Sequence, residues 1–393
     1  MNIDFDEILD SASLIYVIAG EASGDVLGAR LISAMRARRP ELTFAGIGGP
    51  AMAAQGVVSL FPMHELALMG LLEVLPKIFQ LRARIEETVA DITARRPAVV
   101  VTIDSPGFTL RVLRKIQPLG LKRAHYVAPQ AWAWKEKRVK KFPGLWDRLL
   151  CLLPFEPAFF ARHNLPALFV GHPVLESGAD TGDAARFRAA HGLAAATKVL
   201  TIMPGSRRTE VSRLLPILGE SLRLIAARVP GVVPVVPVGA LVAAQVQTAT
   251  AGWNPRPIVV TTTEDKHDAF AASTAALTKS GTSTLELALA NVPMIVAYRV
   301  NPITAAIARR LIKVKYASIL NLLAGRAVIP EFIQQDCTPA KLADALVPLL
   351  ADPAAAQAQR DALRPFLAML RPVSDEKPSE ATAAAVLELL DQP

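Results

Sequence analysis

VLTIMPGSRRTEVSRLLP, residues 199–216, joins a short apolar run, a Pro-Gly-Ser turn and a helical pattern. The apolar run at 199–203 predicts a buried strand, and the leucines at 214, 215 and 218 predict the buried side of a helix. Strand-turn-helix units of this kind are typical of α/β proteins built on parallel sheets. We therefore expect an α/β fold with doubly wound parallel sheets.

The turn in this stretch is a candidate phosphate site. The first N–H groups of a helix lack intrahelical partners and lie at the positive end of the helix dipole, so they can receive a phosphate or a diphosphate. Gly205 lets the backbone approach closely, Ser206 offers a hydroxyl, and Arg207 offers a planar guanidinium suited to phosphate oxygens. An ordinary capped helix with a solvated Arg207 would show the same residues, and the turn alone does not decide between the two.

A second turn of the same type reads KSGTSTLE, residues 279–286. Gly281 and Thr282 stand at the start of the next helical pattern, where backbone N–H groups can again bind an anion. Glu286, one helical turn further on, could accept hydrogen bonds from ribose hydroxyls. The alternative is a Ser/Thr-rich helix cap followed by an exposed glutamate.

The N-terminal half repeats the strand-turn pattern with acidic residues in the turns. Glu21 and Asp25 follow the predicted strand Leu14–Ala19, where a carboxylate would repel phosphate, so contacts with hydroxyl groups and helix capping both remain open for each. Asp104 follows the predicted strand Val99–Ile103. Ligands of open parallel sheets bind at the carboxyl ends of strands. Asp104 is therefore a candidate general base, hydroxyl anchor or helix cap.

Further apolar runs extend the alternation of strands and helices along the chain. Strands are predicted at 125–127, 149–154 and 167–170 in the first half, and at 199–203, 232–238, 258–262, 275–278 and 294–298 in the second half. The polar, flexible composition of residues 176–182 marks the boundary between the halves. We expect two doubly wound domains that face each other across a cleft.

Composition limits the class of protein. A chain of 393 residues suggests two domains, and 52% hydrophobic with only 20% charged residues excludes disorder. The 43 Lys and Arg residues outnumber the 35 Asp and Glu residues, which gives a formal net charge of +8. An excess of positive charge favours an anionic partner, whether nucleic acid, an anionic membrane surface or a phosphorylated substrate.

Cysteine and histidine usage indicates no metal site or disulfide framework. Cys151 and Cys337 are far apart, and the six histidines show no metal-ligand spacing. The N-terminus is acidic, unlike a signal peptide, and no apolar run is long enough to span a membrane. We expect a soluble or peripheral protein in a reducing compartment, with no metal and no other cofactor.

Three segments carry competing interpretations. Residues 64–81 (HELALMGLLEVLPKIFQL) are either a buried helix pair or an apolar surface for lipid. Trp132 and Trp134, followed by a run of Lys and Arg, favour single-stranded nucleic acid, a membrane interface or a solvated helix face. Residues 46–51 fit the dinucleotide pattern G-x-G-x-x-A, but Pro50 and the brevity of the following segment favour a plain glycine loop.

Nine short motifs follow one another along the chain. They are AGEASGD (19–25), GIGGPAM (46–52), MGLLEVLP (69–76), IDSPGF (103–108), PQAWAW (129–134), VGHP (170–173), MPGSRRTE (203–210), SGTSTLE (280–286) and NLLAGR (321–326). Together, in this order, they resemble the lipid-A-disaccharide synthase family of glycosyltransferases. The resemblance implies a GT-B architecture of two Rossmann-like domains, the donor UDP-2,3-diacylglucosamine, the acceptor 2,3-diacylglucosamine 1-phosphate (lipid X), and no required metal.

The resemblance also implies roles for the parts of the chain. Residues 1–176 would form the acceptor-side domain, residues 177–362 the UDP-sugar domain, and residues 363–393 a helical tail that packs back on the first domain. The partners that the resemblance implies are the two lipid substrates and an anionic membrane surface, at the cytoplasmic face of the inner membrane. It implies no nucleic-acid partner. A homodimer is the assembly we would expect if the chain associates with itself.

The family's important positions match this sequence at five residues: Glu21, Asp104, Arg207, Glu286 and Asn321. We expect Asp104 to act as the base, Glu21 to orient sugar hydroxyls or replace Asp104 as base, and Arg207 to stabilise departing UDP. The other expected substrate contacts are Gly205, Ser206, Gly281, Thr282, Glu286, Asn321, Ser23 and Gln130, and the expected acyl or membrane contacts are Met69, Leu71, Leu72 and Leu75.

Some residues depart from the family pattern or leave other functions open. Gly107 and Thr109 stand where the family commonly has Asp and Asn, and Leu320 stands where it commonly has Pro. A UDP-sugar epimerase could share the two domains and the UDP-binding half. A basic RNA- or membrane-binding module would rest on residues 132–141 alone.

Overall fold

The computed structural model describes residues 13–66, 74–134, 136–301, 305 and 314–392, apart from the side chains of residues 74–78. It divides into two compact units. The chain leaves the first unit after Pro173 and returns to it at Leu370, and the second unit runs from Val174 to Met369. The expected boundary at 362/363 falls within a helix that continues to Ala368.

Strands and helices alternate along both units. In chain order they are β1 (Leu14–Ala19), α1 (Ala22–Arg38), β2 (Thr43–Ile47), α2 (Pro50–Ala53), α3 (Val74–Arg95), β3 (Val99–Ile103), α4 (Thr109–Ile116), β4 (Lys122–Tyr126), β5 (Arg148–Cys151), α5 (Glu156–Ala161), β6 (Ala167–Phe169), α6 (Ala184–Ala190), β7 (Val199–Met203), α7 (Arg208–Arg228), β8 (Val233–Pro237), α8 (Ala240–Thr250), β9 (Ile258–Val260), α9 (Thr263–Ala272), β10 (Ala275–Lys279), α10 (Thr282–Leu289), β11 (Met294–Tyr298), α11 (Ile319–Ala324), β12 (Glu331–Ile333), α12 (Pro339–Ala351), α13 (Pro353–Ala368) and α14 (Pro378–Asp391).

The first unit is built on a parallel sheet of six strands in the order β2-β1-β3-β4-β5-β6. All five residues of β3 are buried. Parallel sheets covered by helices on both faces need such uninterrupted apolar strands. The last helix, α14, belongs to this unit and packs on α1 and on β3, β4 and β5. Lys122 Nζ lies 2.9 Å from the Leu390 carbonyl and so holds the end of α14.

The second unit is built on a second parallel sheet, in the order β12-β11-β10-β7-β8-β9. The apolar residues of β7, β10 and β11 form its core together with the buried sides of α7 and α12. The prediction of an α/β protein with doubly wound parallel sheets is confirmed, and strands β1, β3, β7 and β11 have the predicted ends. Strand β12 was not predicted, because its three residues, EFI, begin with a charged glutamate and lack the apolar run that marks the equally short edge strands β6 and β9.

Asp25 has a structural position in the first unit. Its carboxylate is 4% exposed and accepts hydrogen bonds from the backbone N–H groups of Gly49 (2.8 Å), Ala51 (2.9 Å) and Met52 (3.0 Å). It therefore caps α2, not its own helix. A Cβ on Gly49 would lie 2.7 Å from Asp25 Oδ2, so the close approach requires glycine. With only four residues in α2, the plain glycine loop at 46–51 is the better description.

None of the helices in the described ranges combines the length and the apolar character needed to cross a membrane.

Replacing Asp25 with Ala should lower the free energy of unfolding by about 1 to 3 kcal/mol, because three N–H groups lose a buried acceptor. Urea unfolding followed by circular dichroism measures the change. The matched control is Glu41→Ala, which removes an exposed carboxylate from the same unit and should cost less than about 0.5 kcal/mol. Equal stability of the Asp25 and Glu41 variants would contradict a capping role for Asp25.

Candidate active site

A pocket of about 370 Å³ lies in the second unit, at the carboxyl ends of four neighbouring strands, β10, β7, β8 and β9. Each strand is followed by a helix that begins beside the pocket, so that α7, α8, α9 and α10 start there. The pocket is lined by Met203, Gly205, Ser206, Pro237, Val238, Gly239, Thr261, Thr262, Thr263, Lys266, Lys279, Thr282, Ser283 and Glu286.

Four helix starts around one pocket produce a positive potential. The helices begin after Arg207, Gly239, Thr262 and Gly281. The N–H groups of each first turn and the aligned peptide dipoles favour a bound anion. Gly205 has φ +117° and Gly281 has φ +149°, a region that side chains disfavour, so both turns require glycine.

Ion pairs form among the charged side chains that line the pocket and two that lie beside it, Arg207 and Glu210. Lys266 Nζ lies 3.0 Å from Glu286 Oε1. Lys279 Nζ lies 3.3 Å from Glu210 Oε1, and one guanidinium nitrogen of Arg207 lies 3.6 Å from the same oxygen. The Arg207 side chain is 74% exposed, whereas that of Lys279 is 20% exposed. Three basic side chains therefore pair with two acidic ones, and the Arg207 side chain lies on the solvent-exposed side of the turn.

Most of the expected donor-side residues come together here. Gly205, Ser206, Thr282 and Glu286 line the pocket, and Gly281 precedes the first residue of α10. Sequence reasoning missed Lys266, Lys279, Glu210 and the backbone segments after β8 and β9. Lys279 directly precedes the SGTSTLE motif and could have been noticed, but Lys266 lies in no motif.

Asn321 does not line this pocket, contrary to the expectation of a substrate contact. It is 0% exposed. Its amide nitrogen donates to the Ile329 carbonyl and to Glu331 Oε1, both at 2.7 Å, and its amide oxygen accepts from the N–H groups of Val328 and Ile329. The side chain thus holds the loop between α11 and β12. Leu320, the neighbouring departure from the family pattern, is also fully buried.

Two carboxylates lie at neighbouring strand ends in the first unit. Asp104 follows β3 and Glu21 follows β1, and these strands pair directly. The pKa of Asp104 is raised, first by burial and second by the negative charge of Glu21, while a backbone hydrogen bond with Ser105 opposes the rise. Glu21 is exposed and makes no capping hydrogen bond to α1, so the capping alternative is not seen for this residue.

The backbone that carries Asp104 is strained. Asp104 and Ser105 have φ +48° and +46°, a conformation that costs energy for residues other than glycine. Thr109 is buried, and its hydroxyl oxygen lies 2.6 Å from the Asp104 carbonyl and 3.0 Å from the Ser105 carbonyl. A Cβ on Gly20 would lie 2.3 Å from Ser105 Oγ, so the residue that follows β1 must be glycine. These contacts fix the turn that presents Asp104.

The loop after β4 holds the remaining expected contact. Gln130 is exposed there, and Ser23 is exposed in the first turn of α1. Trp132 donates its indole N–H to Glu156 Oε1 at 2.9 Å. Burial raises the pKa of Glu156 to about 7, although the hydrogen bond from Trp132 and two from backbone N–H groups act to lower it. Trp132 is therefore anchored to the protein through its indole N–H and through an edge-on ring contact with Phe155.

Of the four expected lipid contacts, only Leu75 lies within the described residues. Met69, Leu71 and Leu72 lie outside the described residues, and the side chain of Leu75, in α3, is not described. Phe79 on the same helix is 79% exposed. Within the described ranges no cluster of three or more His, Cys, Asp or Glu side chains is arranged to hold a metal ion.

Solved structures with the same fold include sugar-nucleotide enzymes. The UDP-GlcNAc 2-epimerase from Neisseria meningitidis bound to UDP-GlcNAc matches with a TM-score of 0.65 at 12% identity, over 96% of this chain and 99% of that chain. CalG4, the calicheamicin glycosyltransferase, matches with a TM-score of 0.56 at 15% identity, over 96% of this chain and 98% of that chain. The expected GT-B class, with its two Rossmann-like sheets, is confirmed.

Sequence comparison is more specific. The profile of the lipid-A-disaccharide synthetase family matches residues 15–385. The lipid-A-disaccharide synthase of Granulibacter bethesdensis is 58% identical, over 97% of this chain and 100% of that protein. The one from Gluconobacter oxydans is 55% identical, over 97% of this chain and 91% of that protein. This chain therefore belongs to the lipid-A-disaccharide synthase family of glycosyltransferases.

Proposed function

We propose that the protein transfers 2,3-diacylglucosamine from UDP to the 6-hydroxyl of 2,3-diacylglucosamine 1-phosphate. The bond between the donor's anomeric carbon and the diphosphate breaks as the acceptor oxygen attacks from the opposite face. The products are a β-1,6-linked disaccharide 1-phosphate, UDP and one proton. The observation that carries the proposal is the pocket formed by four helix starts and lined by two lysines, in a member of this family.

The second unit acts as the donor domain in this proposal. Backbone N–H groups at Gly205, Ser206, Gly281 and Thr282 bind the diphosphate, since helix starts favour doubly charged anions. Glu286, held by Lys266 at 3.0 Å, accepts hydrogen bonds from the ribose hydroxyls. Negative charge grows on UDP as the bond breaks, and preorganised positive groups stabilise it most at that moment.

The first unit acts as the acceptor domain. Asp104 takes the proton of the attacking hydroxyl, and its raised pKa makes it a stronger base than an ordinary aspartate. Glu21 orients sugar hydroxyls beside it and is the second candidate for the base. Ser23 and Gln130, both exposed near strand ends of this unit, supply polar contacts to the acceptor.

Both substrates carry acyl chains, which need an apolar surface outside water. We propose that Met69, Leu71, Leu72 and Leu75 form this surface. Later in the same stretch of sequence, Phe79 is 79% exposed, as an apolar contact requires. The net charge of +8 favours an anionic membrane, and the protein would work peripherally at the cytoplasmic face of the inner membrane. The homodimer remains a prediction, and a measurement of the molecular mass of the protein in solution would test it.

The UDP-sugar epimerase alternative rests on fold alone, because the solved epimerases are only 12% identical. Incubation with the UDP-sugar donor and no acceptor separates the two functions: an epimerase would form an isomer, and a glycosyltransferase would not.

Replacing Arg207 with Ala should cost about 2 to 4 kcal/mol of transition-state stabilisation, seen as a lower kcat, because Arg207 meets the charge that develops on UDP. The matched control is Arg208→Ala, which removes the adjacent exposed cation and should change kcat less than about threefold. Unchanged turnover of the Arg207 variant would remove this residue from the mechanism.

The pH profile of kcat/KM distinguishes the two carboxylates. A base must be unprotonated, so activity falls as the pH drops through the pKa of Asp104. Glu21→Gln removes the negative charge that raises this pKa, so the acid limb should move to lower pH. Asp104→Asn should fold normally and lose the chemical step at every pH. Retained activity of Asp104→Asn with a flat profile would transfer the role of base to Glu21 or another group.

Changing Leu71 and Leu72 together to Ser should reduce binding to vesicles that contain anionic lipid, because the apolar contact is lost. Flotation of the protein with these vesicles measures the bound fraction. Val373→Ser, at a side chain that is 95% exposed in the same unit, is the control and should float like the wild type. Undiminished flotation of the Leu71/Leu72 variant would place the membrane contact elsewhere.

A further inference from the structure

Lys279 is one of the two lysines that line the pocket in the second unit. It is the last residue of β10, and its side chain passes between the two glycine turns. A Cβ on Gly205 would lie 3.5 Å from Lys279 Cδ, and a Cβ on Gly281 would lie 3.4 Å from its Cε and 3.6 Å from its Nζ. The ammonium group therefore stands where the N-terminal ends of α7 and α10 meet.

Glu210 holds this ammonium group weakly. The distance of 3.3 Å from Lys279 Nζ to Glu210 Oε1 exceeds the roughly 2.7–2.9 Å typical of a strong charged hydrogen bond. Glu210 Oε2 is buried and has no hydrogen-bond partner among the described residues. It also lies 2.8 Å from the position of a Cβ on Gly205, directly behind the turn. A partly satisfied carboxylate thus lies behind the turn that binds the anion.

We propose that Lys279 binds the diphosphate of the nucleotide and that Glu210 competes with the nucleotide for Lys279. This inference rests on the proposed function and assigns new residues to its donor site. A diphosphate carries more charge than a carboxylate and offers several oxygens, so it draws the ammonium group from Glu210. When UDP leaves, Lys279 returns to Glu210.

The exchange sets how tightly UDP is held. Among the described residues, binding leaves the largely buried Glu210 with Arg207 as its remaining ion-pair partner, at 3.6 Å, and that loss opposes the gain from the new phosphate contact. Removing the carboxylate should therefore tighten UDP binding, whereas removing the ammonium group should weaken it. The two effects depend on each other, because the carboxylate acts through the lysine.

Titration calorimetry of the full chain with UDP and with uridine tests the proposal. Lys279→Met should weaken UDP binding about tenfold or more and leave uridine binding unchanged, since uridine has no diphosphate. Glu210→Gln should tighten UDP binding about threefold, and this gain should vanish when residue 279 is already Met. The matched control is Lys198→Met, which removes a cation next to the opposite end of β7 and should bind UDP like the wild type.

Three results would overturn the assignment. They are wild-type UDP affinity in Lys279→Met, an equal loss of UDP and uridine affinity in that variant, and a Glu210→Gln gain that persists with Met at 279. Thermal unfolding of each variant checks that the fold is intact. The proposed function is tested separately on the wild type: if it binds UDP and forms the disaccharide while Lys279→Met behaves identically, only the role of Lys279 fails.

Discussion

Parallel strands impose one constraint on both units: the carboxyl ends of all strands lie at the same edge of the sheet. There the chain must turn from a strand into a helix, and the turn residues of neighbouring strands become neighbours in space. In the second unit this constraint brings four helix starts around one pocket. In the first unit it brings Glu21 and Asp104 to adjacent strand ends. The chemistry of each unit is thus decided by which residues occupy the turns.

The turns at this edge carry different charged groups in the two units. Lys266, Lys279 and the helix starts make the pocket of the second unit suitable for an anion, while the turns of the first unit carry two carboxylates. In the proposed reaction, positive charge stabilises the departing diphosphate. Negative charge beside the general base raises the affinity of that base for a proton. The raised pKa of Asp104 follows from burial and from Glu21, so the second carboxylate strengthens the first.

Local patterns explain what the sequence could predict. The turns at Gly205 and Gly281 were recognisable because an apolar run, a glycine and a helical pattern stand next to one another in the chain. Lys266 could not be placed, because its position at the pocket depends on β9 lying beside β8 in the sheet. Asp25 was ambiguous, because the N–H groups it binds belong to residues 49–52, after the next strand.

Asn321 matched the family motif, but its surroundings could not be derived from the sequence, because they depend on burial. Its amide is completely used by the loop at 328–331, and only the packing of β12 beside β11 creates that loop. Loss of the side chain would release Glu331, which also binds the backbone N–H groups of Ala317 and Ser318.

The departures at Gly107 and Thr109 differ in their consequences. Thr109 is buried, and its hydroxyl serves the two carbonyls of the strained turn at Asp104 and Ser105. Threonine at 109 therefore stabilises the turn that presents Asp104. Gly107 is exposed, and a Cβ added there would meet no atom within 4 Å. Glycine there lacks the carboxylate of the family pattern, so under the proposed function a phosphorylated acceptor would approach Asp104 against one negative charge fewer.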